Sequence, residues 1–321
     1  MRRILGPLLF GLGAFLLVAG LLLKFYAYPR VAVAPVDQNS VTNLQATGAE
    51  IFDTSTLKPL STDLAVQSRT VGDVKASEDR GDNVRVWVNS TTIKSDDGQV
   101  RSQSTQRTAF DATSAEAVNC CGAFEEDTAG QRDPVKRKGL VFKWPFGVEK
   151  KTYDVWDDTL LDTMKAKFVG QETMQGLKVY RFQGSIDRTS VGDREVPAAV
   201  VGGTGTGNVT AQSMYSADKT WWIEPVTGAI VDQSIKTDST LAVDGEDKLT
   251  TTKADLRYTK ATVDGNVKDF SDKAGQLRLV GTTLPLLTGI LGLLLMAAAL
   301  VLGGRSQPAV APAPARTPER V

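Results

Sequence analysis

Two long runs without a charged residue stand near the two ends of the chain and constrain its fold more than any other feature. As a helix, residues 4–23 would span roughly 30 Å at about 1.5 Å per residue, which matches the hydrocarbon thickness of a bilayer. Residues 279–304 form the second run, which contains Pro285. We predict two transmembrane helices over these ranges. A membrane helix tolerates proline when nearby groups satisfy the freed carbonyl, and we expect threonines to do so here: Thr282, Thr283 and Thr288.

A cleaved signal peptide is the alternative interpretation of the first run. The apolar core of a signal peptide usually has about 7–15 residues and is followed closely by a small-x-small cleavage site. Here the run is longer, and Ala32-Val33-Ala34, which fits that pattern, lies well beyond its end. We therefore expect an uncleaved anchor.

Basic residues predict how the two helices are oriented. Arginines precede the first run, and the tail after the second run has an excess of arginine over acidic residues. Positively charged flanks remain in the cytoplasm. We therefore expect a cytoplasmic tip at residues 1–3, a cytoplasmic proline-rich tail at residues 305–321, and a main domain on the outer side of the cytoplasmic (cell) membrane. Lys24 lies at the outer end of the first run, where its long side chain can reach the interface.

The first run carries glycines at a regular spacing. Gly6, Gly13 and Gly20 recur every seven residues and share one face of a helix. Small residues let helices approach closely in lipid. We expect this face to pack on small residues of the second run around Gly289 and Gly292, although a chance distribution of glycine is an alternative.

Strand patterns dominate the segment between the runs. Alternating apolar and polar residues, rich in valine and threonine, are separated by turns such as Asp96-Asp97-Gly98. We predict a mainly β extracytoplasmic domain over residues 29–260, an antiparallel sheet that is open or barrel-like, flanked by the two transmembrane helices. The predicted strand stretches are residues 63–74, 84–88, 100–110, 177–182, 213–223, 230–243 and 248–258.

Helical patterns occur at two places in this segment. Residues 157–167 resemble a short helix with Asp157 as its cap. Residues 261–278 carry an apolar stripe at Val263, Val267 and Phe270 with helical spacing. We predict a stalk helix over residues 261–278 that packs on the sheet and continues into the second transmembrane helix.

Composition excludes several classes of function. The chain has no histidine, which rules out histidine-dependent triads and histidine-ligated metal sites. Basic and acidic residues balance at 37 each, which argues against nucleic-acid binding. We expect no catalytic residue, no metal site and no cofactor.

Cys120 and Cys121 are adjacent, and the chain contains no other cysteine. An exported domain meets an oxidising space, so we predict a disulfide between them. Neighbouring Cα atoms lie about 3.8 Å apart, below the usual disulfide range of about 4.4–6.8 Å, so the bond would be strained. A redox switch, a structural ring that stiffens the turn, and two free thiols remain alternatives.

Aromatic and basic residues concentrate between residues 142 and 156. Aromatic rings insert at bilayer surfaces or stack on sugars, and lysines meet lipid phosphates. This pattern predicts contact with an anionic lipid or lipoglycan, and the alternative is a core of aromatic residues with solvated lysines. The predicted contact residues are Trp144, Phe146, Lys150, Lys151 and Trp156.

Several aspartates cluster beside this segment. Asp154, Asp157, Asp158 and Asp162 fall within nine residues. A glycosidase needs two carboxylates at a defined separation across a sugar. Helix capping produces the same clustering, so a carboxylate-dependent glycan-modifying enzyme is the second alternative.

The order of the motifs along the chain resembles an actinobacterial family of two-span membrane proteins of unknown function, also labelled the porin PorA family. The resemblance covers nearly the whole chain and implies a cell-envelope location and a link to envelope lipoglycans, without supplying catalytic residues. The motifs that carry it are Phe25-Tyr26, Cys120-Cys121, Trp144-Pro145-Phe146-Gly147, Tyr153, Trp156-Asp157, the stretch from Gly176 to Tyr180, the stretch from Trp222 to Gly228, and Leu284-Pro285.

These observations predict a non-enzymatic cell-envelope membrane protein whose external domain binds envelope lipid, lipoglycan or a partner protein in support of envelope biogenesis. The first alternative is an oligomeric porin-like channel, which would need several copies because each chain supplies only two apolar helices. The expected partners are the lipid bilayer, an anionic lipid or lipoglycan, and further copies of the chain.

Overall fold

The computed structural model describes residues 2–81 and 83–303, so the predicted tail at residues 305–321 lies outside the described residues. The chain divides into two compact units. One contains the terminal segments Met1–Val31 and Leu277–Val321, and the other contains Ala32–Gln276.

Helices form most of the first unit and a small part of the second. The α-helices are α1 (Arg2–Leu22), α2 (Tyr28–Val31), α3 (Val74–Glu78), α4 (Lys260–Arg278) and α5 (Leu284–Gly303). Each long apolar helix is interrupted by a turn of π-helix, at Leu23–Ala27 and at Leu279–Thr283. A short 3₁₀ helix occupies Ala198–Val201. Two helical stretches, Ile4–Val31 and Lys260–Leu302, are long and apolar enough to cross a membrane.

The second unit is built on one large antiparallel sheet. Its strands pair in the order β7-β6-β4-β3-β2-β1-β13-β12-β11-β10-β9-β8, with β5 beside β4, and the sheet does not close into a barrel. The strands are β1 (Asn39–Asp53), β2 (Lys58–Gly72), β3 (Val84–Ser95), β4 (Val100–Asp111), β5 (Ala117–Val118), β6 (Phe124–Glu126), β7 (Arg132–Pro134), β8 (Tyr153–Asp157), β9 (Asp162–Met174), β10 (Leu177–Pro197), β11 (Asn208–Ile223), β12 (Ile230–Val243) and β13 (Glu246–Tyr258).

Alternation along the strands separates two faces of the sheet. In β10, Tyr180 and Phe182 belong to the largest buried cluster, which also contains Trp144 and Trp221. Val179, directly before Tyr180, belongs to a different cluster on the other face. There α4 contributes Val267, with Val263 and Phe270 packed beside it, so the predicted apolar stripe does pack on the sheet.

The two ends of the open sheet meet along a seam formed by residues 137–141. Leu140 makes isolated bridges to Glu116 on one side and to Val155 in β8 on the other. Its carbonyl accepts from the Trp156 amide at 3.0 Å, and its amide donates to the Asp154 carbonyl at 2.8 Å. The main core therefore lies inside a curled sheet whose ends are joined by a connecting segment.

The prediction of a helix over residues 157–167 is wrong. β8 and β9 form a hairpin there, with Asp157 paired to Asp162 and Leu161 at a φ of 55°. The Asp157 carboxylate accepts from the amides of Thr159 and Leu160. Aspartate caps tight turns in the same way as it caps helices. Asp157 is therefore a capping residue, but it caps a hairpin turn and not a helix.

Candidate functional site

The two long apolar helices pack through their glycines, as the seven-residue spacing of Gly6, Gly13 and Gly20 predicts. A Cβ atom at Gly13 would lie 2.7 Å from the Gly292 carbonyl oxygen, and one at Gly20 would lie 2.6 Å from the Thr288 hydroxyl. Approaches this close leave no room for a side chain. The missing Cβ atoms are therefore what lets α1 and α5 come together.

A polar contact lies where both helices change to π geometry. Pro285 has no N–H, so the Gly281 carbonyl, four residues earlier, loses its usual helical donor. The Lys24 ammonium donates to this carbonyl at 2.9 Å. Thr288 does not reach Gly281, because its hydroxyl donates to the carbonyls of Leu284 and Pro285 instead.

The aromatic ring of Tyr28 also packs closely against Gly281. A Cβ atom at Gly281 would clash with the Tyr28 ring, and the Lys24 Nζ lies 5.7 Å from the centroid of that ring. Two π turns, a proline break and one ammonium thus meet at one level of the helix pair. Single π turns within α-helices are frequent at functional sites, and an ionisable side chain within a helix of this kind is by default a functional candidate.

The tryptophans of the predicted ligand segment lie in the core. Trp144 is 1% exposed and Trp156 is 9% exposed. The Trp144 ring centroid lies 5.8 Å from that of Phe182 and 5.4 Å from that of Trp221. This packing supports the alternative in which these aromatics build the core, while ligand contact by the segment stays a prediction.

Lys143 is a partly buried cation beside Phe146. Its ammonium donates to the Trp144 carbonyl at 2.6 Å and lies 3.9 Å from the centroid of the half-buried Phe146 ring. Burial lowers the pKa of Lys143 from 10.5 to about 7. The sequence pattern drew attention to the lysines of this segment but did not distinguish this one.

The two lysines predicted to contact ligand are exposed. The Lys150 Nζ lies 5.3 Å from the Tyr180 ring centroid and 5.6 Å from that of Phe168. Lys151 pairs with Glu149 at 2.6 Å. Both side chains are therefore accessible to a ligand.

Cys120 and Cys121 lie in the turn before β6. Their sulfur atoms are 2.12 Å apart, and Cys121 adopts a φ of 66°. The Cys121 carbonyl accepts from the guanidinium of Arg107 at 3.1 Å. The oxidation state of this pair in the mature protein stays a prediction.

The predicted aspartate cluster is divided among different environments. Asp154 pairs with Lys165 at 2.6 Å at the surface. Asp157 is 1% exposed and accepts from the Lys219 ammonium at 2.6 Å and from the Tyr215 hydroxyl at 3.2 Å. Burial alone would raise the pKa of Asp157, because it disfavours the charged form. The Lys219 charge and these hydrogen bonds outweigh burial and keep the pKa below the usual value. Asp157 therefore acts as a buried structural ion.

Asp158 joins a polar cluster across the seam that the sequence pattern did not reveal. Arg137, whose side chain is 1% exposed, donates to the Glu125 carboxylate at 2.6 Å and lies 3.6 Å from that of Asp158. Gln106 and Trp156 both donate to Asp158. Burial, reinforced by the Asp158 charge, raises the pKa of Glu125 from 4.5 to about 7 despite the opposing Arg137. Because Glu125 lies far from Asp158 in the sequence, no local spacing could have identified the pair.

The pair of Glu125 and Asp158 fits neither a metal site nor a glycosidase arrangement. Among residues 2–81 and 83–303, no group of three or more acidic or cysteine side chains is placed to hold a metal ion. Glu125 and Asp158 interact directly and share Arg137. A glycosidase instead separates its carboxylates by about 5 Å or more, across a sugar.

The geometry defines a membrane protein with a glycine-packed helix pair and a large open antiparallel sheet. The family model described as "Porin PorA" matches residues 5–301, and the chain belongs to that family. It is similar to "Porin PorA" of Corynebacterium resistens, with 24% identity over 402 aligned residues that cover 94% of this chain and 97% of that protein. It is also similar to "Porin PorA" of Corynebacterium amycolatum, with 23% identity over 375 residues that cover 91% and 96%.

Proposed function

We propose that this protein is a non-enzymatic channel of the cell envelope, built from several copies of the chain. The observation that carries the proposal is the match of nearly the whole chain to the porin PorA family. Sequence analysis placed binding of envelope lipid, lipoglycan or a partner protein first and a channel second. The porin name shared by the family model and both similar proteins supports the opposite order.

Several copies are required because residues 2–81 and 83–303 of one chain form no wall that encloses a pore. Its sheet is open, and a transmembrane β-barrel must be closed. Its two long apolar helices pack directly on each other, with Gly13 against Gly292. A helical pore must then form between pairs from different copies.

Lys24 is the residue we expect to influence conduction. It is a cation held on the Gly281 carbonyl beside two π turns. A fixed positive charge near a pore raises the local concentration of anions and lowers that of cations. Lys24→Gln removes this charge, whereas Lys24→Arg keeps it.

Conductance across planar bilayers tests the proposal. The purified full chain is expected to give discrete current steps whose anion-to-cation preference decreases in Lys24→Gln and persists in Lys24→Arg. Absence of steps from well-folded protein at every protein-to-lipid ratio would contradict channel function. Steps of unchanged selectivity in both variants would contradict the role of Lys24 alone.

We further propose that both termini face the cytoplasm and that the sheet domain lies outside the cytoplasmic membrane. The basic flanks of the two apolar runs support this orientation. In a background with Cys120 and Cys121 replaced by serine, a cysteine placed at Gly205 should react with an impermeant reagent on intact cells. A cysteine at Ala311 should react only after lysis, and the opposite pattern would reverse the topology.

In that location we expect Cys120 and Cys121 to be oxidised to a disulfide. Oxidation joins the two sulfurs and releases two hydrogen atoms to an oxidant of the exported space. The intact mass should therefore increase by about two units on reduction. Two thiols that alkylate readily in freshly isolated, unreduced protein would contradict the disulfide.

A second candidate function is binding of anionic envelope lipid or lipoglycan by the segment around Lys150 and Lys151. The observation that favours it is the exposure of both ammonium groups beside aromatic rings. Vesicles with and without phosphatidylglycerol, or purified lipoglycan, provide the binding assay. Binding should weaken as salt increases, because exposed charges are screened over about 10 Å at 0.1 M salt.

A further inference from the structure

A basic groove lies on the face of the sheet opposite the main core. It has a volume of about 610 Å³. Its lining includes Lys165, Lys167, Arg181, Lys236 and Arg257. Lys219 also lines it, but the Lys219 ammonium pairs with Asp157. The acidic lining is Asp218.

One row of lining residues crosses five adjacent strands. Cross-strand pairing places Lys167 of β9 opposite Gln183 of β10, Gln183 opposite Thr220 of β11, Thr220 opposite Ser234 of β12, and Ser234 opposite Arg257 of β13. Residues in register on one face of a sheet are neighbours. The row thus begins and ends with a cation and has neutral hydrogen-bonding side chains between them.

The dimensions of the row indicate the shape of a ligand. Four strand spacings of about 4.8 Å separate its ends by roughly 19 Å. An occupant that reaches both cations must therefore be elongated. A concave groove also suits a chain better than the flat surface of a bilayer.

Ion pairs leave part of the basic charge in the groove available. Lys165 pairs with Asp154, and Arg181 pairs with Glu172. Arg257 pairs with Asp255 at 3.4 Å, and their side chains are 62% and 45% exposed. Lys167 and Lys236 make no ion pair with any residue in the described ranges. Exposed pairs are weak, so an incoming anion can compete for the paired cations as well.

We propose that this groove binds an anionic oligosaccharide that carries phosphate groups. Phosphates contact Lys167 and Arg257 at the two ends of the row, because charge-assisted hydrogen bonds to phosphate are the strongest contacts available there. Sugar hydroxyls pair with the amide of Gln183 and the hydroxyls of Thr220 and Ser234. The site is separate from the helix pair and does not depend on channel activity.

Binding of phosphorylated dextran oligomers to the full chain in detergent, measured by titration calorimetry, tests the proposal. Neutral dextran of the same length and inorganic phosphate serve as comparison probes. We expect phosphorylated dextran to bind more tightly than either and to weaken as salt increases. Equal binding of neutral dextran would overturn the role of phosphate. Equal binding of inorganic phosphate would overturn the elongated site.

The double variant Lys167→Gln with Arg257→Gln locates the site. Both positions are exposed, so the fold should persist. Loss of two contacts, each worth about threefold in affinity, should weaken binding about tenfold. The matched control is Lys58→Gln with Arg69→Gln on β2, which changes the net charge equally at exposed positions outside the groove.

Two outcomes of the variant experiment would overturn the assignment. Equal weakening in both double variants would show that net charge, not this groove, attracts the ligand. The other is loss of binding to phosphatidylglycerol vesicles in the groove variant while phosphorylated dextran binds unchanged. That result would make the groove a lipid-headgroup surface instead.

Discussion

The helix pair and the seam of the sheet both join segments that are far apart in the chain, but they do so with opposite chemistry. The helices meet where side chains are missing, with Gly13 against Gly292. At the seam, the two ends of the sheet meet where large and charged side chains are buried, including Arg137 and Trp156. Close backbone contact suits a lipid environment, where burial of apolar surface gives no net gain. The seam belongs to a domain that relies on the hydrophobic effect and must satisfy every buried charge.

Tryptophan fluorescence can separate these two regions experimentally. All five tryptophans belong to Ala32–Gln276. Unfolding followed by this signal therefore reports on the sheet domain and not on the helix pair. The five predictions that follow use it for stability and run from the largest expected effect to the smallest.

Trp144→Ala should cause the largest loss, about 3–5 kcal/mol in the free energy of unfolding of the sheet domain. The side chain is 1% exposed and packs against Phe182 and Trp221, so truncation leaves a large cavity. Denaturation in guanidinium gives the value. Val100→Ala, at a position 53% exposed, is the control and should change it by less than about 0.5 kcal/mol. A loss below about 1 kcal/mol for Trp144→Ala would mean that Trp144 is not a core residue.

Arg137→Gln should destabilise the sheet domain by about 1.5–3 kcal/mol, because it removes charge-assisted hydrogen bonds from Glu125 at the seam. The control is Arg132→Gln, which breaks the nearby pair with Glu126. The Arg132 side chain is 64% exposed, so the loss of this pair should cost less than about 1 kcal/mol. Similar losses in the two variants would show that burial at the seam does not strengthen its ion pair.

The sequence predicts the helix pair much better than it predicts the seam. Local features were sufficient for the helices. The apolar length and the seven-residue spacing of the glycines can both be read from one continuous segment. Seven of the thirteen strands in the described residues were found in the same way, by alternation. The other six, β1 and β5 to β9, were missed. In β1, polar residues such as Gln45 and Glu50 obscure the pattern. The seam depends on Glu125, Arg137 and Asp158, which only the tertiary fold brings together. Lys24 was predicted to reach the interface, and its contact with Gly281 again depends on packing between distant segments.

The pH dependence of stability at the seam should follow Glu125. Its pKa is about 7 in the folded protein, against an ordinary value near 4.5. Between these values the folded state holds a proton that the unfolded chain has released. The contribution of Glu125 is therefore fully present below about pH 4.5 and is lost as the pH rises toward 7. Unfolding free energies at pH 5, 6 and 7 should decrease in that order, and Glu125→Gln should flatten the slope. An unchanged slope in this variant would assign the effect to another group.

Lys143 should act in the opposite direction above neutral pH. Burial lowers its folded-state pKa to about 7 from 10.5, so between these values the unfolded chain binds more protons. Stability should therefore rise from pH 7 to pH 9. Together with Glu125, this gives a minimum of stability near pH 7. Lys143→Met should remove the rise in stability above pH 7 and keep the decrease between pH 5 and pH 7. A rise that persists in this variant would exclude Lys143 as its source.

The smallest expected change in stability comes from Lys150→Gln with Lys151→Gln. Both side chains are exposed, so the free energy of unfolding should change by less than about 1 kcal/mol. If this segment contacts anionic lipid, the same variant should bind phosphatidylglycerol vesicles more weakly than the unaltered chain, with the largest difference at low salt. The matched control is Lys58→Gln with Lys94→Gln, at two exposed positions on β2 and β3. Equal vesicle binding by all three proteins would contradict a ligand at this segment. Trp144 and Trp156 would then have a role in the core only.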